Sequence, residues 1–198
     1  MESSEERRGF FDRHAATWEE EVGYDEKSEP LKRMAALFEL KRGESVLDVG
    51  TGTGMLLPFL REGTGDEGLV TAMDFSFKMI EKAKRRHPII VNGSVEAIPI
   101  RSGQFDRVTC FSAFPHFPDK RKALLEMVRV LKEGGHLLIA HLHSVEEINQ
   151  FHRRVGGAVG DDTLPEPEQM ARLMKQSGLS NVTILNEPGN FLARGRKN

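Results

Sequence analysis

The stretch Val46-Leu47-Asp48-Val49-Gly50-Thr51-Gly52-Thr53-Gly54 sets the tightest limit on what this chain can become. Alternate glycines let the backbone turn sharply and approach a ligand closely, and the residues beyond them open a helix whose first N–H groups lack partners. A short β run, Ser45 to Val49, precedes the loop, and a helix over Met55 to Arg61 follows it. Strand, glycine loop and helix in that order open a nucleotide-binding βαβ unit. Such units place an acid at the end of the next strand, roughly 20 residues on, to accept hydrogen bonds from ribose hydroxyls. Asp74, closing Leu69-Val70-Thr71-Ala72-Met73-Asp74, fits that position. Asp48 lies inside the first strand, where a charge needs a purpose.

The alternation continues. A helix over Phe77 to Arg86 is capped by Ser76, and strands follow at Ile89 to Asn92 and Phe105 to Phe111. Asp119 caps a helix from Lys120 to Lys132, and a fifth strand runs from His136 to Leu142. Short apolar strands alternating with helices predict a doubly wound α/β sheet, mostly parallel and covered on both faces. Ser144 with Glu147 reads as a capping box ahead of a helix carrying Val145, Ile148, Phe151 and Val155 on one face. After a Gly and Pro stretch from Gly156 to Pro167, a last helix with Met170, Leu173 and Met174 stops at Gly178. Val182 to Leu185 and Asn190 to Ala193 then form a hairpin about Asn186 to Gly189, completing a seven-stranded, Rossmann-like sheet with an antiparallel last strand.

Upstream, Phe10, Phe11, His14 and Trp18 fit one amphipathic helix, with a break around Val22 to Glu26. Ser28 caps a second helix with Pro30 in its first turn, and Lys41 to Gly43 end it. The whole, 1–198, reads as one domain, with 1–43 as an N-terminal helical lid; simple packing of the aromatic stripe is the alternative.

A net charge of −2, from 28 basic and 30 acidic residues mixed along the chain, gives no field favouring nucleic acid or an anionic membrane. No run approaches the ~20 apolar residues of a membrane span, and Met1 to Arg8 is polar and charged with no apolar stretch behind it, so a cytoplasmic location is expected. Cys110 is the single cysteine, which excludes a disulfide framework and a Cys-based metal knuckle; it reads as a small buried strand residue.

Three features narrow the glycine-loop reading. Met55 occupies the sixth position of the dinucleotide pattern, Phe105-Asp106-Arg107-Val108 forms a strand with a fixed acid, and Leu131-Lys132-Glu133-Gly134-Gly135 precedes the fifth strand. In this combination, from Val46 to about His141, the chain resembles the class I S-adenosylmethionine (SAM)-dependent methyltransferases of the small-molecule type, similar to the ubiquinone and menaquinone methyltransferases. Phe10 to Trp18 resembles the opening helix of that group.

The resemblance implies SAM as cofactor and in-line methyl displacement onto a small-molecule acceptor. It puts Gly50, Thr51 and Gly52 under the methionine part of SAM and Asp48 at its amino group. Asp74 takes the ribose hydroxyls and Phe75 packs on the adenine. Ser94 stands where the family often has Asp at the adenine amino group, leaving the N–H of Val95 to meet the ring. Phe111 and Ser112 end the fourth strand beside the methyl group, and His116 is the candidate base if the acceptor must lose a proton; an adenine-edge or packing role is its alternative.

His141 and His143 share one side of the fifth strand at its ligand-facing end, and His152 follows on the next helix. They are candidate acceptor-binding groups or ligands to a divalent metal, a less favoured alternative because no Cys or spaced carboxylate completes a set. Two other functions share parts of the pattern: an NAD(P)-dependent oxidoreductase, opposed by Met55 and the closing hairpin, and a methyltransferase acting on RNA or protein, opposed by the balanced charge. Oligomeric state is not encoded in any of these signals.

Overall fold

The computed structural model describes residues 4–23, 28–87 and 89–198. Seven strands form one sheet: β1 (Ser45–Val49), β2 (Leu69–Asp74), β3 (Ile90–Asn92), β4 (Phe105–Phe111), β5 (Leu131–His141), β6 (Leu179–Glu187) and β7 (Asn190–Lys197), in the order β3-β2-β1-β4-β5-β7-β6. Strands β1 to β5 pair in parallel, and β7 runs antiparallel to both of its neighbours. The described helices are α1 (Ser4–His14), α2 (Trp18–Val22), α3 (Glu29–Ala36), α4 (Leu57–Thr64), α5 (Phe77–Ala83), α6 (Lys120–Val130), α7 (Val145–Val155) and α8 (Pro167–Gln176).

Strand alternation divides the core between the two faces of the sheet. Leu47 and Val49 of β1 join Val108, Cys110 and α6 residues Leu124 and Met127 on one face. Val46 joins Val70, Ala72 and helices α3 and α4 on the other. The central strands are therefore buried almost along their length, whereas β6, at the edge, alternates. Cys110 is fully buried, and that burial pushes its thiol well above the ordinary range.

Local signals locate the helix starts. Ser76 Oγ accepts from Met79 N (3.2 Å), Asp119 Oδ1 from Lys122 N (2.9 Å), and Ser144 with Glu147 completes a reciprocal capping box. Such caps contribute about 1 kcal/mol each. Ser28 holds the N-cap position of α3 but makes no side-chain cap bond.

Elsewhere tertiary contacts move the boundaries. The expected single N-terminal helix is two, because the Thr17 N–H turns back to the His14 carbonyl (3.1 Å), and Trp18 then packs edge-on against Phe11 at 5.6 Å. Gly23 ends α2 with a φ of 72°; residues 24–26 of the expected break lie outside the described residues. Helix α6 stops at Val130 because Leu131 already pairs with Phe105, and the strand that begins there passes a register shift before resuming at His136. The hairpin strands also run longer than the apolar runs suggested. Leu31, Met34 and Phe38, on and just after α3, are buried in one cluster with Leu57 and Leu60, so α3 packs into the core layer, whereas residues of α1 and α2 line the crevice at the strand ends.

Among the described residues no helix is long and apolar enough to cross a membrane.

Candidate functional site

Strand order reverses direction between β1 and β4, and crevices for ligands open at the carboxyl ends of strands at such a switch point. The glycine loop leaves β1 on one side of this crevice; Phe111 to His116 leave β4 on the other. A cavity of about 740 Å³ occupies it, roofed by Phe10, Phe11 and Trp18.

The three glycines have different reasons to be there. A Cβ on Gly50 (φ +71°) would lie 2.5 Å from Ala113 Cβ, and one on Gly54 (φ +83°) would lie 2.9 Å from Leu57 Cδ1, so packing and backbone conformation both require glycine there, and Gly50 also lines the cavity. Gly52, at φ +56°, would meet only Trp18 Nε1, at 4.0 Å. Its backbone faces the cavity, which is the cradle that a closely approaching cofactor needs.

Asp74 latches this loop. Its Oδ2 accepts from Gly52 N and its Oδ1 from Ser76 N, both at 2.8 Å, leaving further lone pairs on each oxygen. Asp48 is buried beneath the loop and accepts from Thr109 Oγ1 at 2.8 Å. Burial pushes both carboxyls up to about 6, against the hydrogen bonds that favour their ionised forms. A cationic amino group and two ribose hydroxyls are suitable partners for this pair, so the residues present fit SAM.

Phe75, Ser94, Val95, Phe111 and Ser112 all line the same cavity, as do Asp48, Gly50, Thr51, Gly52 and Asp74. Phe75 is already covered on one side by α1, with Phe11 edge-on at 5.8 Å and the Arg8 guanidinium carbon 6.0 Å from its ring centre. Ser94 Oγ caps a short 3-10 turn by accepting from Glu96 N (3.2 Å). Ser112 is exposed and sits at φ +52°, a conformation sparsely used by L residues and often found where a strand end is shaped for a ligand.

On the far side, four histidines line the cavity wall: His116, His141, His143 and His152. Burial, reinforced by the neighbouring imidazoles, pushes His141 down to about 3, so it is neutral at any ordinary pH. Its Nε2 is buried without a hydrogen-bond partner. The metal reading of His141, His143 and His152 does not match this arrangement. Among the described residues no three His, Cys, Asp or Glu side chains are grouped to hold a metal ion. His152 Nδ1 is engaged by the Asp162 carbonyl at 2.7 Å, its ring lies 5.0 Å from that of His116, and His141 lies against Phe191 at 6.0 Å.

Sequence patterns did not reveal Arg7, Asp12 or Asp162. Asp162 accepts from Arg7 Nη1 at 2.5 and 2.6 Å and lies 2.7 Å from His116 Nδ1. Asp12 accepts from Ser76 Oγ (2.5 Å) and Lys78 N (3.2 Å). Helix α1 thereby ties the cofactor-side strand end to the histidine wall. The tandem Asp161-Asp162 in a Gly-rich loop belongs to no motif, so only the fold exposes its use.

Comparison with known proteins agrees with this geometry. A methyltransferase-domain family matches residues 47–139. The ubiquinone/menaquinone biosynthesis C-methyltransferase UbiE of Serratia proteamaculans is 30% identical over 187 residues, covering 79% of this chain and 74% of the relative. Demethylmenaquinone methyltransferase of Renibacterium salmoninarum is 42% identical over 101 residues, covering 50% of this chain and 41% of the relative. In fold, a SAM-dependent methyltransferase from Aquifex aeolicus is similar with a TM-score of 0.69 at 24% identity, over 86% of this chain and 90% of that one. With the glycine cradle and buried acids at the switch point of a seven-stranded sheet, this kinship places the chain among the class I SAM-dependent methyltransferases.

Proposed function

We propose that the chain transfers a methyl group from SAM to a small-molecule acceptor held against the histidine wall. The observation that carries this reading is a single cavity, about 740 Å³, that runs from Gly52 and Asp74 to His116 and His141 under α1 and α2. That volume lies within the range of small-ligand pockets. The names of the relatives, which refer to ubiquinone and menaquinone biosynthesis, agree with a small acceptor.

In this reading Gly50 to Gly52 carry the methionine part, Asp48 holds its amino group, and Asp74 holds the ribose hydroxyls. Phe75, Ser94 and Val95 surround the adenine, and Phe111 and Ser112 border the reacting side. Bound SAM supplies a methyl group already activated on a sulfonium. The chain's own work is to aim the acceptor and exclude water. His116, half-buried at the mouth of β4, accepts a proton where the acceptor must lose one.

Residues 1–43 act in one domain with the rest, with α1 and α2 as the lid. Supporting this are contacts that fasten those helices across the crevice: Arg7 to Asp162, Asp12 to Ser76, Lys82 Nζ to the Ala16 carbonyl (2.7 Å), and Arg86 to Glu19 (3.0 Å).

Incubation with methyl-labelled SAM and fractionated cell extract tests the acceptor class. Label is expected in the small-molecule fraction; label in RNA or protein alone would overturn the reading.

A pH dependence follows from the buried acids. A cationic amino group beside Asp48 favours the carboxylate, so it lowers a value that burial has pushed up to about 6. SAM affinity is therefore expected to fall as pH drops through about 6, and binding near that pH should release protons. Calorimetry in buffers of different ionisation enthalpy should detect this release near the acids' own range and none at pH ~8, where both carboxyls are already ionised.

A further inference from the structure

His116 and His152 are both bound to one residue, Asp162, through the same ring atom. His116 Nδ1 lies 2.7 Å from the Asp162 carboxylate, and His152 Nδ1 lies 2.7 Å from the Asp162 main-chain carbonyl. Asp162 itself is fixed from two sides. Arg7 of α1 donates to its carboxylate, and Asn149 of α7 holds the loop by a reciprocal pair with the Leu164 backbone, at 3.1 and 2.8 Å.

The direction of each bond is forced. A carbonyl oxygen only accepts, so His152 Nδ1 carries the hydrogen. Burial raises the Asp162 carboxyl, but hydrogen bonds from His116 and Arg7, together with charge attraction to both, hold it below its ordinary value. An ionised carboxylate also only accepts, so His116 Nδ1 carries the hydrogen too. In a neutral imidazole the other nitrogen is then a lone pair. Both rings, 5.0 Å apart, line the cavity, and with Nδ1 engaged each has only Nε2 left to offer a ligand there. His141, whose buried Nε2 has no partner, lines the same cavity.

We infer that this compartment selects an acceptor molecule carrying its own O–H or N–H donor, and that Asp162 is the positioning residue that sets the preference by locking both histidines in the Nδ1–H form. The inference rests on the proposed methyl transfer and adds the polarity of the acceptor. A donor finds two lone pairs facing it. A carbonyl, ether, carboxylate or phosphate oxygen finds lone pair against lone pair and leaves both imidazoles unsatisfied.

The test uses the full chain with nitrogen-15 in its histidine rings, saturated with S-adenosylhomocysteine at alkaline pH, with phenol and anisole as probes. The two probes differ by one methyl group, which removes the donor and keeps the acceptor oxygen. Long-range nitrogen–proton spectra are expected to show His116 and His152 protonated at Nδ1, and phenol is expected to move both Nε2 signals and to bind on the order of tenfold more tightly than anisole. Asp162→Ala should release His116 to the Nε2–H form that water favours while His152, held by a main-chain carbonyl, keeps its own. The phenol preference should shrink in step, and Asp162→Glu should restore the His116 form in part.

If Asp162→Ala does not fold, the wild-type tautomers and the probe pair decide alone. An Nε2–H at either ring in the wild type, equal binding of the two probes, or no response of the Nε2 signals to phenol would overturn the inference while leaving the proposed function standing. Absence of S-adenosylhomocysteine binding would overturn both.

Discussion

Asp74→Ala is expected to weaken SAM binding on the order of a hundredfold while leaving a folded protein. Two hydrogen bonds from ribose to a charged acceptor contribute about 3 kcal/mol in sum, which corresponds to that loss of affinity. The same carboxylate also receives Gly52 N and Ser76 N, so the variant loosens the glycine loop as well as removing the ribose partner. Leaving Gly52 N and Ser76 N without that acceptor costs about 1–3 kcal/mol each, partly offset by removal of a carboxyl whose ionised form burial disfavours, so a lowered but cooperative melt is expected. Calorimetry with SAM beside a thermal melt separates the two effects. Unchanged affinity would remove Asp74 from the ribose site.

Gly52→Val is expected to abolish detectable SAM binding. At φ +56° a β-branched residue is strained by about 1–2 kcal/mol, which a domain of ordinary stability survives. Its side chain would enter the cavity beneath Trp18 Nε1, 4.0 Å from the new Cβ, and fill the space the cofactor backbone approach requires. Gly54→Ala, outside the cavity lining, is the contrasting control. Its Cβ falls 2.9 Å from Leu57 Cδ1, so the cost appears first in the melting temperature. Normal SAM binding by Gly52→Val, with circular dichroism unchanged, would contradict the placement of the loop.

Much of this site was legible because its parts are local. The glycine loop, the strand-ending Asp74 and the caps at Ser76, Asp119 and Ser144 are each written within a few residues, and local spacing fixes local geometry. The histidine wall was legible only in part. His141 and His143 advertise a strand end, but the residue that organises His116 and His152 is 46 positions beyond His116, and its partner Arg7 is 155 positions before it. Such pairings depend on how the loop after α7 and the helix α1 fold back over the crevice, which no periodicity records. The place of α3 was not legible, for a related reason. An amphipathic α3 looks the same whether it covers a crevice or a core, and only burial of Leu31, Met34 and Phe38 assigns it to the core.

The position of β7 between β5 and β6 has a consequence for how the chain assembles as it is made. Strand β6 emerges first but has no described partner in the sheet other than β7, which pairs Leu192 with both Ala140 and Leu185. Until residues 190–197 leave the ribosome, β5 presents an unpaired edge and β6 has nowhere to dock. The sheet is therefore closed by the last segment of the described chain to be synthesised, and a chain that has not yet placed β7 leaves the β5 edge open to aggregation.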